Sequence, residues 1–269
     1  MKNFIFVLLD GLGAGAARRC MSCLAALEEA GIARYRELAT MLPPLSRPVY
    51  ATLLSGQKPA ESGILHNDNI SLCPIPTIFH WARQHGLVTA AASYAWISEL
   101  CNRAPFVAER DRFTQDAELP ISCGLFYSSD AYPDDELFRD AEWLRLKFSP
   151  HLLLVHSMGI DYAGHMHGAS SSTYRNAARA ADGLLARYLP RWLEKEYAVL
   201  VTSDHGMDIE GSHCDATGES RSVPLWLVGA PQDCRMPQSQ TELAEIILTC
   251  LELASPTLVK SCQCVFDRL

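Results

Sequence analysis

The residues best suited to chemistry gather in LVTSDHGMDIEGSHC, residues 200–214. The apolar run before Ser203 reads as a buried strand that delivers Asp204 and His205 at its C-terminal end. His213 follows eight residues after His205. A carboxylate and two imidazoles, set where open α/β sheets place their ligand crevices, form a donor set for divalent metal. The rest of the chain supplies partners. Asp10 ends the run NFIFVLL, and Asp161 and His165 lie four apart in SMGIDYAGHMHG. On a helix that spacing puts both side chains on one face, although surface pairs at the same spacing are ordinary. Ser46 precedes a helical run at 49–54, with Pro48 suited to the first turn, so it falls near the N-cap. Alone it reads as a cap; beside six metal donors it becomes a candidate nucleophile.

These residues need a scaffold that brings strand ends together. Strands are expected at 3–9, 87–93, 151–156, 197–202 and 223–228, and helices at 15–31, 49–54, 76–85, 134–147, 172–196 and 241–253. The helix at 172–196 is expected to be interrupted near Pro190. Residues 94–136, with prolines 105, 120 and 133, read as an irregular cover and not as a second domain. The alternation implies one α/β domain over 1–269: a doubly wound, mainly parallel sheet with helices on both faces. The GLG turn after Asp10 lacks the third glycine of a phosphate loop, and its expected role is a sharp turn.

Composition narrows the function. The formal charge is 23 − 31 = −8 with no basic run, which argues against a nucleic-acid polymer or an anionic membrane as partner. The apolar run 4–9 is short for a signal-peptide core and fits a first strand, and no run approaches a membrane span. Ten irregularly spaced cysteines read as reduced thiols of a cytoplasmic protein. A four-cysteine zinc site from Cys20, Cys23, Cys262 and Cys264 is the alternative. His66, His156 and His167 read as satisfied or solvated, and Asp208 and Asp215 as loop residues.

Three aspartates and three histidines suffice for two divalent ions. Their +4 balances −3 from the aspartates and −1 from an ionised Ser46, and metal coordination is one way to activate a serine. Four segments, VLLDGLG, SRPVYATLLSGQKPAESGI, IDYAGH and SDHGM followed by His213, resemble the alkaline phosphatase superfamily. They are most similar to its type I phosphodiesterase/nucleotide pyrophosphatase branch. The resemblance runs from Asp10 to His213 and implies an alkaline-phosphatase-like fold with two metals, zinc expected and manganese the alternative. One ion would be held by Asp10, Asp204, His205 and Ser46, the other by Asp161, His165 and His213. It further implies a phosphoserine intermediate on Ser46. Asn67, 21 residues on (67 − 46), would donate to a nonbridging phosphate oxygen.

The departures shape the expected substrate, which is a small phosphorylated or phosphonate compound. Serine stands where the branch usually has threonine. Arg47 replaces an aromatic that lines the nucleotide pocket, and is a candidate contact for an extra anionic group. Tyr50 stands where sulfatases carry an arginine, against sulfate esters. The reading is a hydrolase of phosphate diesters or nucleotide pyrophosphates. The alternatives are a phosphonoacetate-type carbon–phosphorus hydrolase, a phosphomonoesterase, or a metal-binding module without catalysis. The sequence does not specify oligomeric state.

Overall fold

The structure is a computed structural model that describes residues 3–215, 218–231 and 234–253. Its centre is an eight-stranded sheet: β1 (Asn3–Leu9), β2 (Ala33–Ala39), β3 (Thr89–Tyr94), β4 (Phe113–Gln115), β5 (Cys123–Tyr127), β6 (Leu152–Ser157), β7 (Tyr197–Thr202) and β8 (Ser222–Val228). The spatial order is β2-β8-β7-β1-β6-β3-β5-β4. The block β7-β1-β6-β3-β5 is parallel, while β8 and β4 run antiparallel to their neighbours. The mainly parallel sheet expected from the strand–helix alternation is therefore present.

β1 lies at the middle and is buried on both faces, as central parallel strands are. Phe4, Phe6 and Leu8 point into one core layer with the helices Ser46–Ser55 and Leu243–Cys250. Ile5, Val7 and Leu9 point into the other, with Asp134–Phe148 and Ser172–Glu194. Because side chains alternate along a strand, an unbroken apolar run is what such a strand requires.

Several boundaries differ from expectation. The single helix at 15–31 is two, Ala14–Cys20 and Ser22–Glu29, parted at Met21. Asp182, on the helix Ser172–Glu194, accepts the Cys23 and Leu24 N–H groups and the Ser22 hydroxyl at 2.9, 3.4 and 3.1 Å. It thus satisfies donors that a fresh helix start leaves open. Pro190 does not interrupt Ser172–Glu194, where buried Leu185, Leu189 and Trp192 hold the turns around it. The stretch 94–136 is not simply irregular: it contains the helix Ala95–Cys101 and strands β4 and β5, which complete one side of the sheet. β2 was not foreseen; it pairs antiparallel with β8. Cys262 and Cys264 lie outside the described residues, so the four-cysteine proposal does too. No helix among the described residues is long and apolar enough to cross a membrane.

Candidate metal centre and nucleophile

Three neighbouring strands of the sheet, β7, β1 and β6, end on the same side, and their last residues lead into the candidate ligands. Asp10 follows β1. Asp161 and His165 lie on the helix Gly159–His167 just after β6, and Asp204 and His205 follow β7. Gly11 turns the chain at φ +70°, and a Cβ there would come within 2.7 Å of the Asp161 backbone. The β1 and β6 termini can approach this closely only with glycine at that position.

The ligating atoms of Asp10, Asp204 and His205 form one group within 4.8 Å, and those of Asp161, His205 and His213 another. His205 belongs to both, its ring stacked on that of His213 at 3.6 Å between centroids. His165 completes the second group at the rim: its Nε2 is 3.4 Å from Asp161 Oδ2 and its ring 5.0 Å from that of His213. Ser46 is the first residue of the helix Ser46–Ser55, and the N-cap position falls on Leu45. The Ser46 hydroxyl lies 3.1 Å from His205 Nε2.

Hydrogen bonds orient the three imidazoles and one oxygen of Asp204. The Nδ1 atoms of His165, His205 and His213 lie 2.8, 2.9 and 2.7 Å from the carbonyls of Gly211, Gly206 and Pro44. A carbonyl only accepts, so each Nδ1 carries the proton and each Nε2 keeps its lone pair. Asp204 Oδ1 accepts from the Gly11 N–H at 3.2 Å, leaving Oδ2 buried with no hydrogen-bond donor. Asp10 Oδ1 and Asp161 Oδ1 are likewise buried without one. A buried carboxylate oxygen without a donor is costly in isolation, and a divalent cation satisfies it. The donor set therefore fits divalent metal.

The electrostatics agree. Burial, with Asp204 and Asp161 close by, holds the Asp10 carboxyl well above the usual carboxylate range, and burial beside Asp204 does the same to Asp161. Burial lifts Asp204 to about 6. Burial pushes His205 down to about 3, and burial with His205 beside it pushes His213 to about 4. These imidazoles are neutral, as metal ligands must be. His205 is also too weak a base to take the Ser46 proton unaided at neutral pH.

Asn67 meets the nucleophile helix: its Oδ1 accepts the Arg47 N–H at 3.1 Å, which leaves its amide N–H groups as donors beside Ser46. Arg47 itself turns inward. It is buried, its guanidinium 2.8 Å from Glu99 and over the Trp96 ring at 4.5 Å. Breaking such a pair strands a buried charge. Arg47→Met is expected to cost about 3–5 kcal/mol, and Arg47→Met with Glu99→Gln to recover most of it, both read from denaturant unfolding.

Two site residues escaped sequence reasoning. Tyr50 donates its hydroxyl to Asp10 Oδ2, and His156, expected to be a satisfied or solvated histidine, places Nε2 3.3 Å from the same oxygen. The available signals were spacing: Tyr50 follows Ser46 by one helical turn, and His156 stands near the end of β6. Asp208 is the loop residue expected, accepting the Glu210 and Ser212 N–H groups at 2.9 and 2.8 Å just before His213.

The sheet order defines an alkaline-phosphatase-like scaffold, and the donor set at its strand ends could hold divalent metal. Residues 75–215 match the model of the type I phosphodiesterase/nucleotide pyrophosphatase family, and the chain belongs to that family. The matched region contains Asp161, His165, Asp204, His205 and His213, while Asp10, Ser46 and Asn67 precede it. Among curated proteins the chain is similar to the catalytic subunit of human GPI ethanolamine phosphate transferase 2, 26% identical over 135 residues. It is also similar to Saccharomyces cerevisiae GPI ethanolamine phosphate transferase 3, 26% identical over 102 residues. These stretches are 45% and 38% of this chain but only 13% and 9% of the relatives. An inactive murine ectonucleotide pyrophosphatase/phosphodiesterase 5 in complex with AMP superposes with a TM-score of 0.69 at 12% identity. That match covers 94% of this chain and 96% of the other. Sinorhizobium meliloti phosphonoacetate hydrolase, in complex with phosphonoformate, gives 0.53 at 20% identity, covering 76% and 56%. Likeness at this identity establishes a shared fold.

Proposed function

We propose that the chain is a two-metal hydrolase of phosphate diesters or nucleotide pyrophosphates that works through a phosphoserine on Ser46. The observation that carries this is the Ser46 hydroxyl, 3.1 Å from His205 Nε2, beside a cluster of three buried aspartate oxygens without donors and three imidazoles whose Nδ1 atoms face carbonyls. Asp10, Asp204, His205 and Ser46 would hold one ion, and Asp161, His165 and His213 the other. Zinc suits the mixed imidazole–carboxylate set, with manganese the alternative. When bound, such ions lower the pKa of a coordinated hydroxyl or water and neutralise charge on the phosphoryl oxygens.

The protein's own part follows from geometry. Ser46 Oγ forms a bond to phosphorus while the bond to the leaving oxygen breaks opposite it, and that oxygen departs with the electron pair and takes a proton. Asn67 donates an amide N–H to a nonbridging oxygen and holds the phosphoryl group on the nucleophile. Water then displaces Ser46, releasing phosphate or its monoester and restoring the hydroxyl. Arg47, the cation that a monoester dianion would call on, is engaged by Glu99, which favours diesters. The AMP and phosphonoformate complexes of the structural neighbours support a small phosphorylated or phosphonate substrate. The irregular spacing of the cysteines favours a reducing compartment, the cytoplasm.

The curated relatives, being transferases, favour a second reading in which an alcohol instead of water takes the phosphoryl group from Ser46. One assay separates these readings. Protein loaded with Zn²⁺ or Mn²⁺ is given bis-p-nitrophenyl phosphate, p-nitrophenyl phosphate and phosphonoacetate, with and without added ethanolamine. Faster turnover of the diester is the expected result. Preference for the monoester or for phosphonoacetate overturns the diester reading, and an ethanolamine ester among the products establishes transfer.

A further inference from the structure

The two residues on Asp10 Oδ2 have no place in the chemistry above, yet they are among the most completely enclosed polar groups of the molecule. Tyr50 and His156 are both fully buried. They come from different elements: Tyr50 from the helix that Ser46 begins, His156 from β6, the strand beside β1. In the parallel register His156 pairs with Leu8, two residues before Asp10. Their rings meet edge-on at 4.7 Å between centroids, so each limits the other's movement. Tyr50 is further boxed by the Met158 sulfur, 3.6 Å from its hydroxyl, and by the Trp96 ring at 6.4 Å.

The asymmetry on Asp10 is what matters. Oδ2 faces the Tyr50 hydroxyl and His156 Nε2, whereas Oδ1 has no hydrogen-bond donor and lies 3.6 Å from His205 Nε2. A free carboxylate rotates about its Cβ–Cγ bond and offers either oxygen. One held by two donors on Oδ2 presents only Oδ1 to the face shared with His205 and Asp204. We propose that Tyr50 and His156 are positioning residues that clamp Asp10 Oδ2 and so aim Oδ1 at the metal shared with Ser46. This rests on the metal-centre reading above and extends it outward from the ligands. Outer hydrogen-bond partners of this kind orient ligands, and their loss typically weakens metal binding or activity by about 10–100-fold. The clamp also links the nucleophile to its ion, because Tyr50 sits one turn along the helix from Ser46. A shift of that helix would move Ser46 and the Asp10 carboxylate together.

The test is the equilibrium Zn²⁺ affinity, by competition with a chromophoric chelator, of Tyr50→Phe, His156→Leu and His156→Gln. Tyr197→Phe serves as control, since that buried hydroxyl bonds the Pro150 carbonyl at 2.8 Å, outside the ligand set. Expected are about 10-fold or greater losses of affinity for Tyr50→Phe and His156→Leu, at an unchanged stoichiometry of two ions. His156→Gln, whose amide can donate from near the place of Nε2, should restore most of the loss, and Tyr197→Phe should match the wild type. Unfolding midpoints measured in excess chelator separate a fold defect from a binding defect. Wild-type-like affinity in both Tyr50→Phe and His156→Leu overturns the clamp, as does loss of one whole ion in His156→Leu, which would make His156 a ligand. Wild-type protein that binds no divalent ion overturns the metal-centre reading, and the clamp with it.

Discussion

Ser46→Ala is expected to reduce phosphodiester turnover on the order of 10³-fold or more while leaving the metals bound and the fold intact. The size follows from the role: removing a nucleophile that forms a covalent intermediate abolishes the pathway itself, and only residual electrostatic catalysis remains. The substitution deletes one oxygen from a buried position whose partner is His205 Nε2, so the aspartates and the other histidines keep their hydrogen bonds. The measurement is kcat on the preferred diester together with metal content by elemental analysis. Trapping of phosphate on the intact protein after acid quench should succeed with the wild type and fail with the variant. Full activity in Ser46→Ala would remove Ser46 from the chemistry. Lost activity together with lost metal would make it a ligand above all.

Chelation is the second large effect, and its dependence on pH is distinctive. Saturating Zn²⁺ at about 100–1,000 times its dissociation constant adds about 3–4 kcal/mol per ion, so EDTA should lower the unfolding midpoint markedly and abolish turnover. The buried carboxylates then set the slope with pH. Asp204 titrates near 6 in the folded chain against 3.8 as its ordinary value, and Asp10 and Asp161 are raised as well. A carboxyl raised by folding stabilises the native state fully below its unfolded pKa, and that contribution is lost as pH rises through the folded value. Metal-free protein should therefore lose stability between about pH 4 and pH 6 and above. Reloading with Zn²⁺ should reverse the trend, because the ion competes with protons for the same oxygens and gains from higher pH. Thermal unfolding across pH 4–8, with and without Zn²⁺, reads both slopes. Parallel curves would mean that these carboxylates do not form the metal centre.

What could be read from the chain alone divides along physical lines. Asp10, Asp161, Asp204 and His205 were legible because each stands just beyond an apolar run or in the first turn of the helix that follows one, where the sheet topology gathers residues whatever lies between. β2 was not, since Arg34, Arg36 and Glu37 occupy three of the seven positions of an edge strand with only Ala33 and Leu38 buried. Edge strands tolerate such charge, and periodicity then carries no signal. β5 was hidden because its five residues, CGLFY, sit amid prolines and loops. The break at Met21 depends on Asp182, some 160 residues away in sequence, which no local pattern reports. The same holds for Arg47: its residue type suggested an anion contact, while the neighbour that engages it, Glu99, comes from another helix. Tyr50 and His156 were missed because hydrogen-bond partners of a ligand are defined by distance in space, not by motif.

The sheet order has a consequence for how the protein comes into being. β1 pairs with β6 and with β7, so Asn3 faces Tyr197 across a separation of 194 positions (197 − 3) and Phe4 faces Leu152 across 148 (152 − 4). Such distant parallel pairings are slow to close, because the intervening loop entropy must be surrendered before the contact is gained. During synthesis Asp10 emerges early and has to wait for nearly two hundred further residues before Asp204 can stand beside it. A nascent or truncated chain that ends before β7 lacks Asp204, His205 and His213, so under the proposed two-metal reading ion capture would come at the end of assembly and would not template its beginning.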